Sequence, residues 1–145
     1  KYDTGLVREM AAAVREALPD AAVGTDVIAG FPGESEAEFE RTHELLATLP
    51  FTYFHVFPYS PRQGTTAAKL PDQLPAAVIR ARARRLRKLG ERKQAEFARG
   101  FVGATLPVLL EDPQPSEPGV LRGYSRNYQR VRVVAGGEHA NRESQ

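Results

Sequence analysis

Two short stretches of this 145-residue chain carry residue types and spacings that can do chemistry. The first is Thr25-Asp26-Val27-Ile28-Ala29-Gly30-Phe31-Pro32-Gly33-Glu34-Ser35. It reads as a β-branched strand that runs into a glycine-rich turn and then into a capped helix. Ligands of α/β proteins gather at the C-terminal ends of strands, and Gly30 and Gly33 would let a ligand approach the backbone closely. Without a ligand, the same stretch is an ordinary tight strand-to-helix turn. The second stretch, Phe57-Pro58-Tyr59-Ser60-Pro61-Arg62-Gln63-Gly64-Thr65, again follows a strand end. There Arg62 is placed to meet a phosphate or carboxylate, and Ser60 and Thr65 offer hydroxyls. An ordinary polar loop would look the same.

Charge supplies a third signal. The net charge is only +2, but it is unevenly spread. Residues 1–73 carry 6 basic and 11 acidic side chains, whereas residues 74–101 carry 9 basic and 2 acidic. A concentrated basic segment fits a polyanionic partner. A solvated helix face is the plain alternative. A fourth signal is the interleaving of Tyr124, Arg126, Tyr128, Arg130 and Arg132, a pattern suited to stacking on bases and pairing with phosphates. A polar outer strand face with a core-filling tyrosine is the rival reading.

Other chemistry is bounded by absence. The chain has no cysteine, so it supplies no disulfide and no thiolate ligand for a metal or iron–sulfur cluster. No apolar run approaches the roughly 20 residues that span a bilayer, and no export signal opens the chain. The expected location is the cytoplasm. Among the histidines, His55 sits mid-strand and reads as a satisfied core or interface residue before a catalyst. His43 reads as a solvent-facing helical residue, and His139 falls in a polar tail.

The elements that would position these residues follow from periodicity and caps. An amphipathic helix is predicted over residues 4–18, with Leu6, Met10, Val14 and Leu18 on its apolar face. A strand is predicted over 22–29, with Asp26 as its anomaly. Ser35 and Glu38 form a capping box for a helix over about 36–48, whose apolar face is Phe39, Leu45, Leu46 and Leu49. A second strand is predicted over 51–57, then a loop over 59–72. A long helix covers roughly 74–99, with Pro75 in its first turn. Its sparse apolar stripe (Ile79, Leu86, Leu89, Phe97) is surrounded by arginines and lysines. Strands follow at 106–111, 120–123 and 128–134, and residues 136–145 are unpatterned. The fold class is therefore α/β, followed by a small β module. The boundary is placed near residues 100–103, giving domains 1–101 and 102–145. Two parallel strands alone leave a sheet uncovered, so both halves read as incomplete.

TDVIAGFPGES followed by HVFPYSPRQGTTAA resembles the radical S-adenosylmethionine methylthiotransferases. The arginine-rich helix and the Gly123–Val133 segment sit where that family joins its barrel to a TRAM domain. HVFPYS resembles the branch that acts on threonylcarbamoyladenosine beside the tRNA anticodon; sister branches act on isopentenyladenosine or on a ribosomal protein. The resemblance implies the C-terminal part of a partial TIM-type barrel plus an incomplete TRAM-like β-barrel. It implies S-adenosylmethionine and two 4Fe–4S clusters as cofactors, with the cluster ligands in upstream domains of the same protein. It implies tRNA, through its anticodon stem-loop, as partner. Carried over residue by residue, the cofactor wall would comprise Asp26, Ile28, Gly30, Phe31, Val56, Phe57 and Tyr59. Asp26 alternatively pairs with a neighbouring arginine. Arg62, Arg84, Arg85, Arg126, Tyr128 and Arg130 would face nucleic acid. No catalytic residue and no metal ligand is assigned to this stretch. The rival reading is a non-catalytic RNA-binding module on an α/β scaffold.

Overall fold

The computed structural model describes residues 3–111, 119–134 and 143–144. The chain forms two compact units, Lys1–Phe97 and Ala98–Gln145.

The first unit alternates helix and strand: α1 (Thr4–Ala17), β1 (Gly24–Ala29), α2 (Glu36–Thr48), β2 (Tyr53–Pro58) and α3 (Ala76–Arg99), with one 3-10 turn at Ala67–Lys69. Strands β1 and β2 pair in parallel, from Gly24↔Tyr53 to Ala29↔Pro58. A parallel pair needs a crossover, and α2 supplies it. Local chemistry fixes the start of α2. The Ser35 hydroxyl accepts from the Glu38 amide while the Glu38 carboxylate accepts from the Ser35 amide. The core is made by one face of the sheet and two helices: Ala29, Phe39, Leu46, Ala83, Leu86 and Leu89 are buried, and Val27, Phe54 and Val56 pack against them. Phe39 and Leu86 are almost fully enclosed, each contributing on the order of 1.5–3 kcal/mol through apolar burial. Helix α3 comes close to β2 because residue 90 is glycine: a Cβ there would lie 3.2 Å from the Phe54 ring.

The apolar face of α1 stands largely open: Leu6, Met10, Val14 and Leu18 are exposed, and only Ala11 is buried. The helix forms where its periodicity places it, but no described element lies against that stripe. His43 is partly buried rather than solvent-facing, its ring tilted against Phe39 at 6.3 Å.

The second unit holds an antiparallel sheet in the order β5-β4-β3-β6. Its strands are β3 (Val108–Leu110), β4 (Val120–Ser125), β5 (Arg130–Val134) and β6 (Glu143–Ser144). Val108, Leu110 and Leu121 form its core, with Val131 and Val133 packed on them. Tyr128 does not belong to a strand, contrary to the expected run over 128–134. It lies in the β4–β5 turn at φ 58°, where its amide donates to the Ser125 carbonyl and the Gln129 carbonyl accepts from the Ser125 amide. The turn needs a left-handed residue, so the alternation begins only at Arg130. The tail read as unpatterned contributes β6, paired antiparallel with Val108 and Leu109. His139 lies outside the described residues. Among the described residues neither sheet closes into a barrel.

Ser35→Ala removes one acceptor from the first turn of α2. The expected loss of stability is about 1 kcal/mol, measured as a lowered midpoint of chemical unfolding with an unchanged slope.

Candidate functional site

The parallel register puts two different surfaces on the two faces of the β1–β2 sheet. Thr25, Val27, Ala29, Phe54 and Val56 are partly or fully buried, while Asp26, Ile28, His55 and Phe57 are exposed. On that open face Asp26 stands beside His55, and Ile28 beside Phe57. Ile28 is 56% and Phe57 52% exposed. Parallel sheets normally have both faces covered, so an apolar pair left open here marks a surface built to be covered.

Within it, His55 Nδ1 lies 3.0 Å from Asp26 Oδ1. An ionised Asp26 accepts from Nδ1–H, which leaves Nε2 as the outward end of the ring. The Tyr53 ring lies against His55 with centroids 5.4 Å apart. It occupies the space over Gly24, where a Cβ would come within 2.2 Å of it. Asp26 therefore pairs with a histidine across the sheet, not with an arginine, and His55 is an exposed partner rather than a core residue.

The C-terminal ends of the strands are held in one shape by a buried ion pair. Glu34 accepts from the Gly30 amide at 2.9 Å. Arg82 of α3 donates to the Glu34 carboxylate and to the Glu34 carbonyl, both at 2.7 Å, and to the Glu36 carboxylate at 2.8 Å. The guanidinium is almost entirely buried and lies over the Phe39 ring at 5.2 Å. Burial works against its charge, but the hydrogen bonds and charges of Glu36 and Glu34 outweigh it, so Arg82 titrates above its usual value. Gly30 has φ 80°, and a Cβ on it would meet Ile79 at 2.7 Å. Only glycine satisfies both the left-handed backbone and the close approach of α3. The Gly33 amide donates to the Asp72 carbonyl at 3.0 Å, which ties in the loop after β2. At the rim, Phe31 and Tyr59 pack edge to face at 5.5 Å. The Tyr59 amide donates to the Ala29 carbonyl. Its buried hydroxyl has no partner among the described residues.

Of the seven residues expected to wall a cofactor, the structure brings six together: Asp26, Ile28 and Phe57 on the open face, Gly30 at the strand end, and Phe31 and Tyr59 beside it. Val56 is the exception. Its side chain packs against the helices, because neighbouring strand residues face opposite ways, and its carbonyl accepts from Arg87 at 3.4 Å. Among the described residues, no group of three or more histidine, aspartate or glutamate side chains converges as a metal site.

The residues expected to face nucleic acid separate into kinds. Arg62 is exposed in the loop, where its carbonyl accepts from the Thr65 amide and hydroxyl. Arg84 is exposed on α3. Arg85 is exposed too, but its charge is already paired. It donates to both carboxylate oxygens of Glu40, at 2.6 and 2.9 Å, and its guanidinium lies over Phe39 at 4.8 Å. Two other cations of the run are structural as well: Arg82, and Lys93, whose ammonium donates to the carbonyls of Ala47 and Leu49. Burial pushes the Lys93 ammonium below its usual value. Their signal was in the sequence: positions 82, 86, 89 and 93 share the helical face that carries Leu86 and Leu89. In the second unit, Arg122 lies opposite Arg132 and Tyr124 opposite Arg130. Leu109 lies opposite Tyr124, so these residues share the outer face of the sheet. Arg126 and Tyr128 project from the turn, with Tyr128 77% exposed.

The chain is therefore an α/β protein with an open strand-end surface on one unit and an aromatic–arginine sheet face on the other. Sequence comparison gives this class its content. The chain is 36% identical over 126 residues to the tRNA-2-methylthio-N(6)-dimethylallyladenosine synthase of Bacillus licheniformis, which covers 87% of the chain and 25% of that protein. It is 41% identical over 118 residues to the synthase of Moorella thermoacetica, covering 81% and 27%. With the Corynebacterium urealyticum synthase it shares 46% over 99 residues, covering 68% and 18%. No family model matches the chain. The chain is thus homologous, over most of its length, to one segment of these tRNA methylthiotransferases, and spans about a quarter of the length of the Bacillus protein. That supports the family resemblance. It does not support the threonylcarbamoyladenosine branch, since the relatives are named for dimethylallyladenosine. HVFPYS is six residues of one strand end, of which only His55, Phe57 and the segment beyond reach the open side, and it is too short to fix the branch.

Two outcomes follow. Arg82→Met leaves the mostly buried Glu34 carboxylate without its cation, with an expected cost of about 3–5 kcal/mol in chemical unfolding. Glu38 and Glu40 titrate below the ordinary carboxylate range. The hydrogen bonds of Ser35 hold Glu38 down, and the hydrogen bond of Arg85 holds Glu40 down. A carboxylate depressed in the folded state stabilises fully above its unfolded value and loses that contribution as pH falls through its folded value. Unfolding midpoints measured across the acid range should therefore drop less steeply for Glu38→Gln than for the unsubstituted protein.

Proposed function

We propose that this chain is part of a radical S-adenosylmethionine methylthiotransferase that adds a methylthio group to an N6-modified adenosine of tRNA. The observation that carries this reading is its homology, over most of its length, with a segment of synthases named for that reaction. The uncovered faces support it. The open side of β1–β2 and the bare stripe of α1 are what one section of a larger α/β barrel presents to its neighbours.

In this reading the open sheet face is the wall of the cofactor site. S-adenosylmethionine together with a 4Fe–4S cluster supplies one-electron chemistry when bound. This chain has no cysteine, so both clusters are held by other parts of the protein. Its own residues hold and orient. Ile28 and Phe57 give the adenine an apolar surface, and Gly30, having no side chain, lets Ile79 of α3 pack against the strand end. Phe31 and Tyr59 close one edge, and the Glu34–Arg82 pair keeps the turn rigid. Asp26 sets the His55 ring so that its Nε2 faces whatever covers the sheet. The second unit is read as the TRAM-like module, with Tyr124, Arg126, Tyr128 and Arg130 toward RNA and Arg62 at the mouth of the site. The work is placed in the cytoplasm, with the tRNA anticodon stem-loop as the docking element.

Dimethylallyladenosine is the favoured substrate, because it is named in the relatives. Threonylcarbamoyladenosine is the second reading, favoured by HVFPYS alone. Deleting the gene in its host and analysing tRNA nucleosides by mass spectrometry separates the two. Loss of the methylthio mark from dimethylallyladenosine is expected. Loss from threonylcarbamoyladenosine alone would reverse the order, and loss from neither would refute the tRNA methylthiotransferase reading.

A further inference from the structure

The nine basic residues of α3 are not equivalent, and the fold sorts them. Arg82, Arg85 and Lys93 face α2 and bond with its carboxylates or its terminal carbonyls. Arg87 reaches a β2 carbonyl, and Arg92 lies 3.7 Å from Glu96. Arg80, Arg84 and Lys88 are different. They recur every four residues and so form one stripe along the helix. All three are exposed. Among the described residues none of the three has an ion-pair or side-chain hydrogen-bond partner.

No acidic residue occurs anywhere between Ala76 and Gly90. The stripe therefore sets like charges side by side at i,i+4 twice over, an arrangement that costs a helix about 0.2–0.5 kcal/mol per pair. Helix α2 also repeats like charges at i,i+4, Glu36–Glu40 and Glu40–Glu44, but Arg82 matches Glu36 and Arg85 matches Glu40, whereas the α3 stripe has no such partner among the described residues. A bound polyanion offsets the cost.

The geometry selects the kind of anion. A helix rises 1.5 Å per residue, so the three charges stand in a line with steps of about 6 Å over about 12 Å. Donors in a line do not converge on a single phosphate or carboxylate, but they do follow a chain of phosphates. An anionic membrane would need large apolar side chains beside the cations to insert. None of the exposed large hydrophobic residues lies on α3.

We infer that Arg80, Arg84 and Lys88 form a docking line for the sugar–phosphate backbone of the tRNA substrate, independent of base sequence and separate from the aromatic–arginine face of the second unit. The inference rests on the tRNA reading above and deepens it. It also replaces Arg85 as a phosphate contact, because the charge of Arg85 is already matched by Glu40.

The test uses the full-length protein and an anticodon stem-loop RNA, with binding measured across a series of salt concentrations. Each phosphate contact contributes about 0.7–0.9 to the slope of log affinity against log salt. The triple variant R80Q/R84Q/K88Q should therefore bind with a slope shallower by about 2–3 units, and R84Q alone by about one. The comparison variant R8Q/R41Q, which removes exposed cations from α1 and α2, should leave the slope unchanged. The three residues make no ion pair or side-chain hydrogen bond among the described residues, and neutralising them relieves like-charge repulsion, so the thermal midpoint should not fall. An unchanged slope in the triple variant, alongside salt-dependent binding by the parent, overturns the docking line and leaves the tRNA reading standing. An equal loss per charge in R8Q/R41Q overturns it in favour of general attraction. Loss of binding to vesicles containing anionic lipid, with the RNA slope retained, overturns it in favour of a membrane. Absence of any RNA binding by the parent protein removes both this inference and the tRNA reading.

Discussion

The carboxylate of Glu34 sits where three parts of the first unit meet. It accepts from the Gly30 amide at the end of β1 and from Arg82 in the middle of α3, and its own residue leads into the cap of α2. A carboxylate and a guanidinium with so little access to water cost several kcal/mol each to desolvate. They are tolerable because both terminal nitrogens of Arg82 are engaged, with two contacts to Glu34, one to Glu36 and the Phe39 ring beneath, although its Nε is buried without a partner among the described residues. This pair therefore adds little net stability, but it permits only one arrangement. Shifting α3 along the sheet, or reshaping the Gly30–Glu34 turn, would strand a buried charge. The shape of the strand-end site depends on it.

The same constraint explains why the two faces of a two-stranded sheet differ so sharply. One face is anchored to α2 and α3 by Phe39, Leu86 and Leu89 around Ala29. Strand alternation then forces Asp26, Ile28, His55 and Phe57 to the other side. Apolar side chains and an oriented histidine stand together on the uncovered side. That pairing is costly in an isolated unit and useful in a site that a cofactor, a substrate or further strands will cover.

Much of this was legible in the chain. The Ser35–Glu38 capping box and the Gly30–Gly33 turn are local, and they placed α2 to the residue. Apolar spacing gave the correct order of helices and strands. Other features escaped for physical reasons. The left-handed turn at Tyr128 shortened a strand that alternation alone extends too far. Strand β6 has no pattern of its own and exists only through pairing with β3. The uncovered face of α1 has the same periodicity as a buried one, because periodicity shows which side is apolar and not whether anything lies against it.

The site divides in the same way. Sequence alone determined that the chain brings no thiolate, that glycine-rich turns follow its strands, and that its positive charge is concentrated in one helix, since each depends only on residue type and order. Tertiary structure decided what those charges do. Arg82, Arg85 and Lys93 meet α2 because they share the helical side that carries Leu86 and Leu89, whereas Arg80, Arg84 and Lys88 face away. It also decided that Asp26 meets His55. Those residues are 29 positions apart, and only the register of two parallel strands, set by the crossover helix between them, brings them within 3.0 Å.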